Sequence, residues 1–180
     1  LVVRVTLLEL PLCMDIGARY GLDSNPRHGA PHVSLTTPYD PQNIFAQIIR
    51  GDAPCYKLYE DDDVLAFLDL FPQSYGHALV IPKRSAACNI LDVDTDALCK
   101  VMAVVQKLAG VIVEELQPDG VQVAQFNGAP AGQTVFHIHV HIVPRFSGEG
   151  LGIHAAGKAD PAELEKLQAR LVSKLAESEH

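Results

Sequence analysis

His137, His139 and His141 alternate with Ile138, Val140 and Ile142 and run on into Val143 and Pro144. Ile and Val favour extended backbone, in which successive side chains point to opposite faces. The spacing therefore predicts a strand over 135–143 with imidazoles on one face and apolar residues on the other. Imidazole can bind a metal, move a proton or attack as a nucleophile, and it changes charge near neutral pH, so each ring must be solvated or hydrogen-bonded. A zinc site would need a further ligand from elsewhere and groups that hold the rings, and the stretch carries neither an HExxH pattern nor a carboxylate. An exposed sheet face bearing solvated rings is the plain alternative. Just upstream, Asn127, Gly128, Gly132, Gln133 and Thr134 form a polar turn. Its glycines let backbone approach a phosphate, and its side chains can hold phosphate oxygens. Phosphate beside imidazole points to phosphoryl chemistry.

A strand carrying those rings needs a sheet around it. Ile44, Phe45, Ile48 and Ile49 recur at helical spacing and Gly51 ends the run, which predicts a short amphipathic helix. Residues 55–60 and 64–70 read as strands joined by an acidic turn at Asp61, Asp62 and Asp63, and 77–82 as a third strand. Leu98, Met102, Val105, Leu108, Ala109 and Ile112 form a stripe at i, i+3, i+4 spacing that predicts a long helix over 94–116, capped by Asp94 or Thr95. Residues 121–127 and 135–143 read as the last strands, separated by the glycine-rich loop 128–132, and 161–176 as a charged terminal helix. Short connections between strands favour an α+β fold, with an antiparallel sheet of about five strands, over a parallel doubly wound one.

The 180 residues, 48% hydrophobic and 20% charged, suffice for one well-buried domain plus a tail. A formal net charge of -8 argues against a broad basic surface for nucleic acid, while leaving room for a pocket that accepts one phosphate. Cys13, Cys55, Cys88 and Cys99 form no CxxC pair, so neither a zinc knuckle nor a redox motif is signalled. The apolar run 1–13 is interrupted by Arg4 and Glu9, which makes it a poor membrane span. A soluble, cytoplasmic protein with no membrane or nucleic-acid partner is expected. Gly, Asn, Pro, His, Ser and Thr dominate 21–41, so 1–40 reads as a flexible extension and 146–180 as a tail with a helix.

Residues 132–145, GQTVFHIHVHIVPR, resemble the signature of the histidine triad (HIT) nucleotide hydrolases and transferases. NIFAQIIRGDAPCYKLYEDDDVLAFLDL at 43–70 and PQSYGHALVIPK at 72–83 agree with the same family in the same order. The resemblance implies a HIT domain over 41–145 and a homodimer whose protomers share one continuous sheet. It makes His139 the nucleophile that attacks the α-phosphorus of a purine nucleotide, giving a covalent nucleotidyl-histidine, with a nearby backbone carbonyl fixing its tautomer. His141 matches the residue that contacts phosphate oxygens and assists the leaving group, and His137 and His77 match supporting positions. Asp69 matches the ribose ligand, since a carboxylate can accept from both hydroxyls. Phe45, Ile48, Phe67, Leu68 and Leu70 match an apolar wall around the base, although as residue types they serve equally well as core. Asn127, Gln133 and Thr134 match phosphate-side contacts, with loop capping as the alternative. The implied activity is hydrolysis of adenosine phosphoramidate-type compounds. Dinucleoside polyphosphate hydrolysis, or a catalytically weak nucleotide- or partner-binding module, are the alternatives. Many bacterial relatives hold a structural zinc, and here Asn43, Ala46 and Ser85 stand at its ligand places, so no metal and no cofactor is expected.

Overall fold

The computed structural model describes residues 35–150 and 157–178, all within the compact unit Val33–His180. The extension read over 1–40 lies outside the described residues as far as residue 34. The sequence IFAQIIR winds into helix α1, Ile44–Arg50, because both ends are satisfied locally. Asn43 Oδ1 accepts from Ala46 N at 2.9 Å, and Gly51, at φ +83°, turns its N–H back on the last turn. A helix this short is unstable alone, and burial of Phe45 and Ala46 holds it in place.

Strands β1 (Tyr56–Glu60) and β2 (Val64–Leu68) follow, joined by the acidic turn, in which Asp61 Oδ1 accepts from the backbone N–H of Asp63 and Val64. Then come β3 (Ala78–Pro82), α2 (Thr95–Leu116), β4 (Gly120–Ala124), a single 3-10 turn at Ala129–Ala131, β5 (Val140–Arg145) and α3 (Pro161–Glu177). The five strands form one sheet in the order β1-β2-β3-β5-β4, every neighbouring pair antiparallel. This is the α+β antiparallel architecture the spacing predicts, with a long helix, a short N-terminal helix and a C-terminal helix.

Two apolar clusters sandwich the sheet. Ala66, Leu68, Ala78, Val80, Val140 and Ile142 face α2 and α3, which contribute Val105, Leu108, Ile112, Leu164, Leu167 and Leu171. Phe45, Leu65, Phe67, Leu79 and Ile81 make a smaller cluster on the opposite face, under α1. With both faces covered, β2 and β3 are buried at every position, so they lose the alternation a one-sided strand would show. Helix α3, read as part of a tail, is core: its leucines close the first cluster. No described helix is long and apolar enough to cross a membrane.

Three readings need correction. The last strand begins at Val140, so His137 and His139 lie in the loop that leads into β5 and only His141 lies on the strand. The cause is that Ile138 N–H bonds Ala87 O at 2.9 Å, a loop carbonyl, where a strand residue would have bonded a neighbouring strand. The preceding strand stops at Ala124, three residues early, because the chain turns there toward Gly128, at φ +87°. The buried stripe of α2 is Val101, Val104, Val105, Leu108, Val111 and Ile112, which leaves Met102 exposed. The helix is apolar on two faces, so periodicity alone does not choose between them. Its N-cap is Asp94, which accepts from Ala97 N.

Candidate active site

Antiparallel pairing of β3 with β5 puts Leu79 opposite His141 and Val80 opposite Val140. Directly opposed residues share a face, so His141 joins Leu79 on the α1 side while Val140 and Ile142 fill the helix-covered core. The loop before β5 brings His139 beside it, with ring centroids 4.8 Å apart, and Phe45 from α1 meets the His139 ring edge-on at 5.0 Å. All three rings of the motif, and His77, are buried: each is 3% exposed or less. Solvent does not satisfy these nitrogens, so the protein must.

For most of them it does so, through partners that decide where the protons sit. His139 Nδ1 lies 2.7 Å from His137 O. A carbonyl only accepts, so Nδ1 carries the hydrogen and Nε2 carries the lone pair of the neutral ring. His137 is held by Pro82 O at 2.9 Å from Nε2 and by the Tyr39 hydroxyl at 2.7 Å from Nδ1. Burial pushes the His137 imidazole down to about 4; the Pro82 carbonyl opposes that shift and neighbouring His139 adds to it. His137 is thus a neutral support.

His77 Nε2 and His141 Nδ1 are 2.9 Å apart. Gln73 N–H donates to His77 Nδ1 at 3.1 Å, so neutral His77 keeps its proton on Nε2 and donates it to His141 Nδ1. The neutral His141 ring then bears its own proton on Nε2. Asp69 Oδ2 stands 3.3 Å from His77 Nδ1, while Oδ1 accepts from Phe71 N at 2.9 Å. Asp69, His77 and His141 are also the group among the described residues whose ligand atoms lie close enough to share a cation, within 4.8 Å. Binding one would require the His77–His141 hydrogen bond to open.

Beside these groups lies a cavity of about 310 Å³. Asp69, Thr134, His139 and His141 are its polar walls, and Phe45, Ile48, Phe67, Leu68 and Leu70 are among its apolar ones. All five proposed base-wall residues thus border it, although the Leu68 side chain belongs to the core beneath α2 and α3. His137 and His77 stand behind the lining. Asn127 and Gln133 do not border the cavity, and the structure gives both the loop-stapling alternative. Asn127 Oδ1 accepts from Ile90 N at 2.9 Å. Gln133, 2% exposed, accepts from Gly128 N and donates to the carbonyls of Cys88 and Val135.

Sequence reasoning missed Ile44, Pro54, Cys55, Phe71, Leu79 and Val135 in the lining. Strand alternation from His77 could have found Leu79. Burial pushes the Cys55 thiol up, so it stays protonated at neutral pH and does not compete as a nucleophile. Tyr39 and the Pro82 carbonyl, which hold His137, were missed as well.

Comparison with known proteins finds relatives in sequence and in fold. The family model of the HIT domain matches residues 50–148. "Protein hit" of Bacillus subtilis is 40% identical over 139 residues, which span 75% of this chain and 95% of that protein. The adenosine 5'-monophosphoramidase hnt1 of Schizosaccharomyces pombe is 38% identical over 134 residues, 73% of this chain and 97% of that protein. Among solved structures, a Hit-like protein from Bartonella henselae superposes with a TM-score of 0.69 at 43% identity, covering 76% of this chain and 98% of that one.

Proposed function

The chain belongs to the histidine triad (HIT) family, and on that premise we propose that it hydrolyses purine nucleoside monophosphate derivatives of the adenosine phosphoramidate type through a covalent intermediate on His139. The observation that carries this reading is the tie between His139 Nδ1 and His137 O at 2.7 Å, on a ring that walls a cavity shared with His141 and Asp69. In the first step Nε2 of His139 forms a bond to the α-phosphorus as the bond from phosphorus to the leaving group breaks, and His141, which must be cationic for the step, gives its Nε2 proton to the leaving group and is left neutral. In the second, water attacks the same phosphorus, the phosphorus–nitrogen bond breaks, and His141 takes up the water's proton. Two displacements let one set of walls stabilise similar phosphoryl charge twice. The apolar walls take the base, Asp69 accepts from the ribose hydroxyls, and Thr134 stands on the phosphate side. The activity of the fission yeast relative supports the phosphoramidate choice.

The reading includes a homodimer. Met102 and Val113 leave a second apolar face exposed on α2, and Val123 is exposed on β4, an edge strand. A second copy would cover both, and would pair the open edge. A reducing, cytoplasmic setting fits the free thiols Cys55, Cys88 and Cys99. Nucleic acid and membranes are no part of the reading, given the net charge of -8.

The test is AMP release from adenosine phosphoramidate and from a diadenosine polyphosphate, by the wild type and by His139→Ala, with intact-mass measurement of rapidly quenched wild-type enzyme. Expected are turnover of the phosphoramidate, an adenylyl adduct on the wild type, and loss of both in the variant by three orders of magnitude or more, on the order seen when a nucleophile is removed. Equal release by wild type and variant would sink the proposal in favour of a binding module, and preference for the polyphosphate would move the substrate assignment.

A further inference from the structure

The segment before α1 is tied down along its length. Leu35 O accepts from Asn89 Nδ2, Thr37 O lies 3.3 Å from the Cys88 thiol, and Pro41 O accepts from Arg50 Nη1 at 2.7 Å. Between these ties, the Tyr39 hydroxyl reaches His137 Nδ1 across 98 residues of sequence, with ring centroids 5.6 Å apart. Tyr39 does not border the cavity.

The hydrogen bonds of His137 fix its proton. Pro82 O accepts from Nε2, so in the neutral ring Nδ1 is an acceptor and the Tyr39 O–H is its donor. The ring is pinned at both nitrogens, and the next residue is pinned at its backbone, Ile138 N to Ala87 O. Between those anchors lies the His137 carbonyl, which takes the Nδ1–H of His139. The sheet cannot do this work, because β5 begins only at Val140.

We propose that Tyr39 is a positioning residue for His139. Its hydroxyl holds His137 in the Nε2–H tautomer and in one orientation, and so places the carbonyl that keeps the His139 proton on Nδ1 and the lone pair on Nε2. The inference rests on the reading of His139 as the nucleophile, and Tyr39 itself touches neither substrate nor reacting atoms. Without the hydroxyl, Nδ1 becomes a buried acceptor stripped of its donor. A ring flip or the other tautomer would relieve that, and either one breaks the bond to Pro82 and frees the carbonyl to shift.

The experiment is Tyr39→Phe, which keeps the ring's bulk and removes the donor. The readouts are kcat and KM for AMP release from adenosine phosphoramidate, and 15N resonances of the histidine rings at neutral pH. Expected is a kcat lower by about tenfold with KM changed less than about twofold, the pattern of a group that acts in the transition state only. The His137 Nδ1 resonance should move away from that of a hydrogen-bonded acceptor, and the His139 pattern should lose its single Nδ1–H form. Unchanged kcat overturns the proposal, and so does a lowered kcat with both rings' resonances as in the wild type. If the wild type releases no AMP, the nucleophile reading fails, and the resonances alone decide whether Tyr39 sets the two tautomers. If Tyr39→Phe does not fold, 3-fluorotyrosine at position 39 serves: its more acidic hydroxyl must shift His137 Nδ1, and no shift refutes the contact.

Discussion

His137 is 1% exposed and titrates at about 4, far below an ordinary imidazole, chiefly because burial disfavours its charge. A pKa lower in the folded chain than in the unfolded one means that, as pH falls, the unfolded chain binds a proton that the native ring refuses. Stability is therefore complete above about pH 6.5 and is lost as pH falls toward 4, by up to about 3 kcal/mol from this residue. Denaturant unfolding at stepped pH should show that slope in the wild type and a shallower one in His137→Gln. Equal slopes would mean that His137 does not carry the effect. The identity of such residues was visible in the sequence, but their division of labour was only partly so. Gln133 illustrates the limit: an amide beside a glycine turn suits a phosphate as well as a loop, and in the fold its amide donates to Cys88 O, 45 residues away, and to Val135 O close by.

Among elements, the joint between the turn at 72–76 and β3 leaves little room at Gly76. Gly76 sits at φ +88°, and a Cβ there would come within 2.4 Å of Leu116 Cδ1, at the end of α2, and 3.2 Å of Pro144 Cγ on β5. Gly76→Ala is strained chiefly by its left-handed backbone, with the Leu116 methyl and Pro144 ring giving way, and is expected to cost on the order of 1–2 kcal/mol. It should also disturb His77, the next residue. Thermal unfolding measures the first effect, and AMP release under conditions where the variant stays folded measures the second; a variant as stable as the wild type would refute the close approach. Helices and strands were largely legible from period and punctuation, since both arise from neighbours in sequence. Their ends were not: the loop 125–139 is held by the carbonyls of Ala87 and Cys88, and such distant partners leave no local period. Of the stripe expected on α2, Val105, Leu108 and Ile112 are buried while Met102 is exposed, because an apolar helix with two usable faces needs its neighbours to say which one is inside.

For the whole molecule, the proposed homodimer predicts that charge on the exposed apolar face weakens assembly without unfolding the protomer. Val123 pairs in register with Ile142, so it lies on the helix-bearing side of the sheet, at the open edge beyond β5. Met102→Glu combined with Val123→Glu should turn a dimer in light scattering after size exclusion into a monomer, with a circular dichroism spectrum like that of the wild type. A wild type that is monomeric at micromolar concentration would refute the assembly. By itself, the sequence determined the family, the order of elements and the histidine-bearing motif, because alternation, capping and turn residues act over a few positions. Only the tertiary structure decided which ring nitrogen carries each proton. Those protons are set by His77 across 64 residues, by Tyr39 across 98, and by the carbonyls of Pro82 and His137. A backbone carbonyl is the same in every residue, so no side-chain letter announces its part, and only the folded loop before β5 brings His137 to the Pro82 carbonyl.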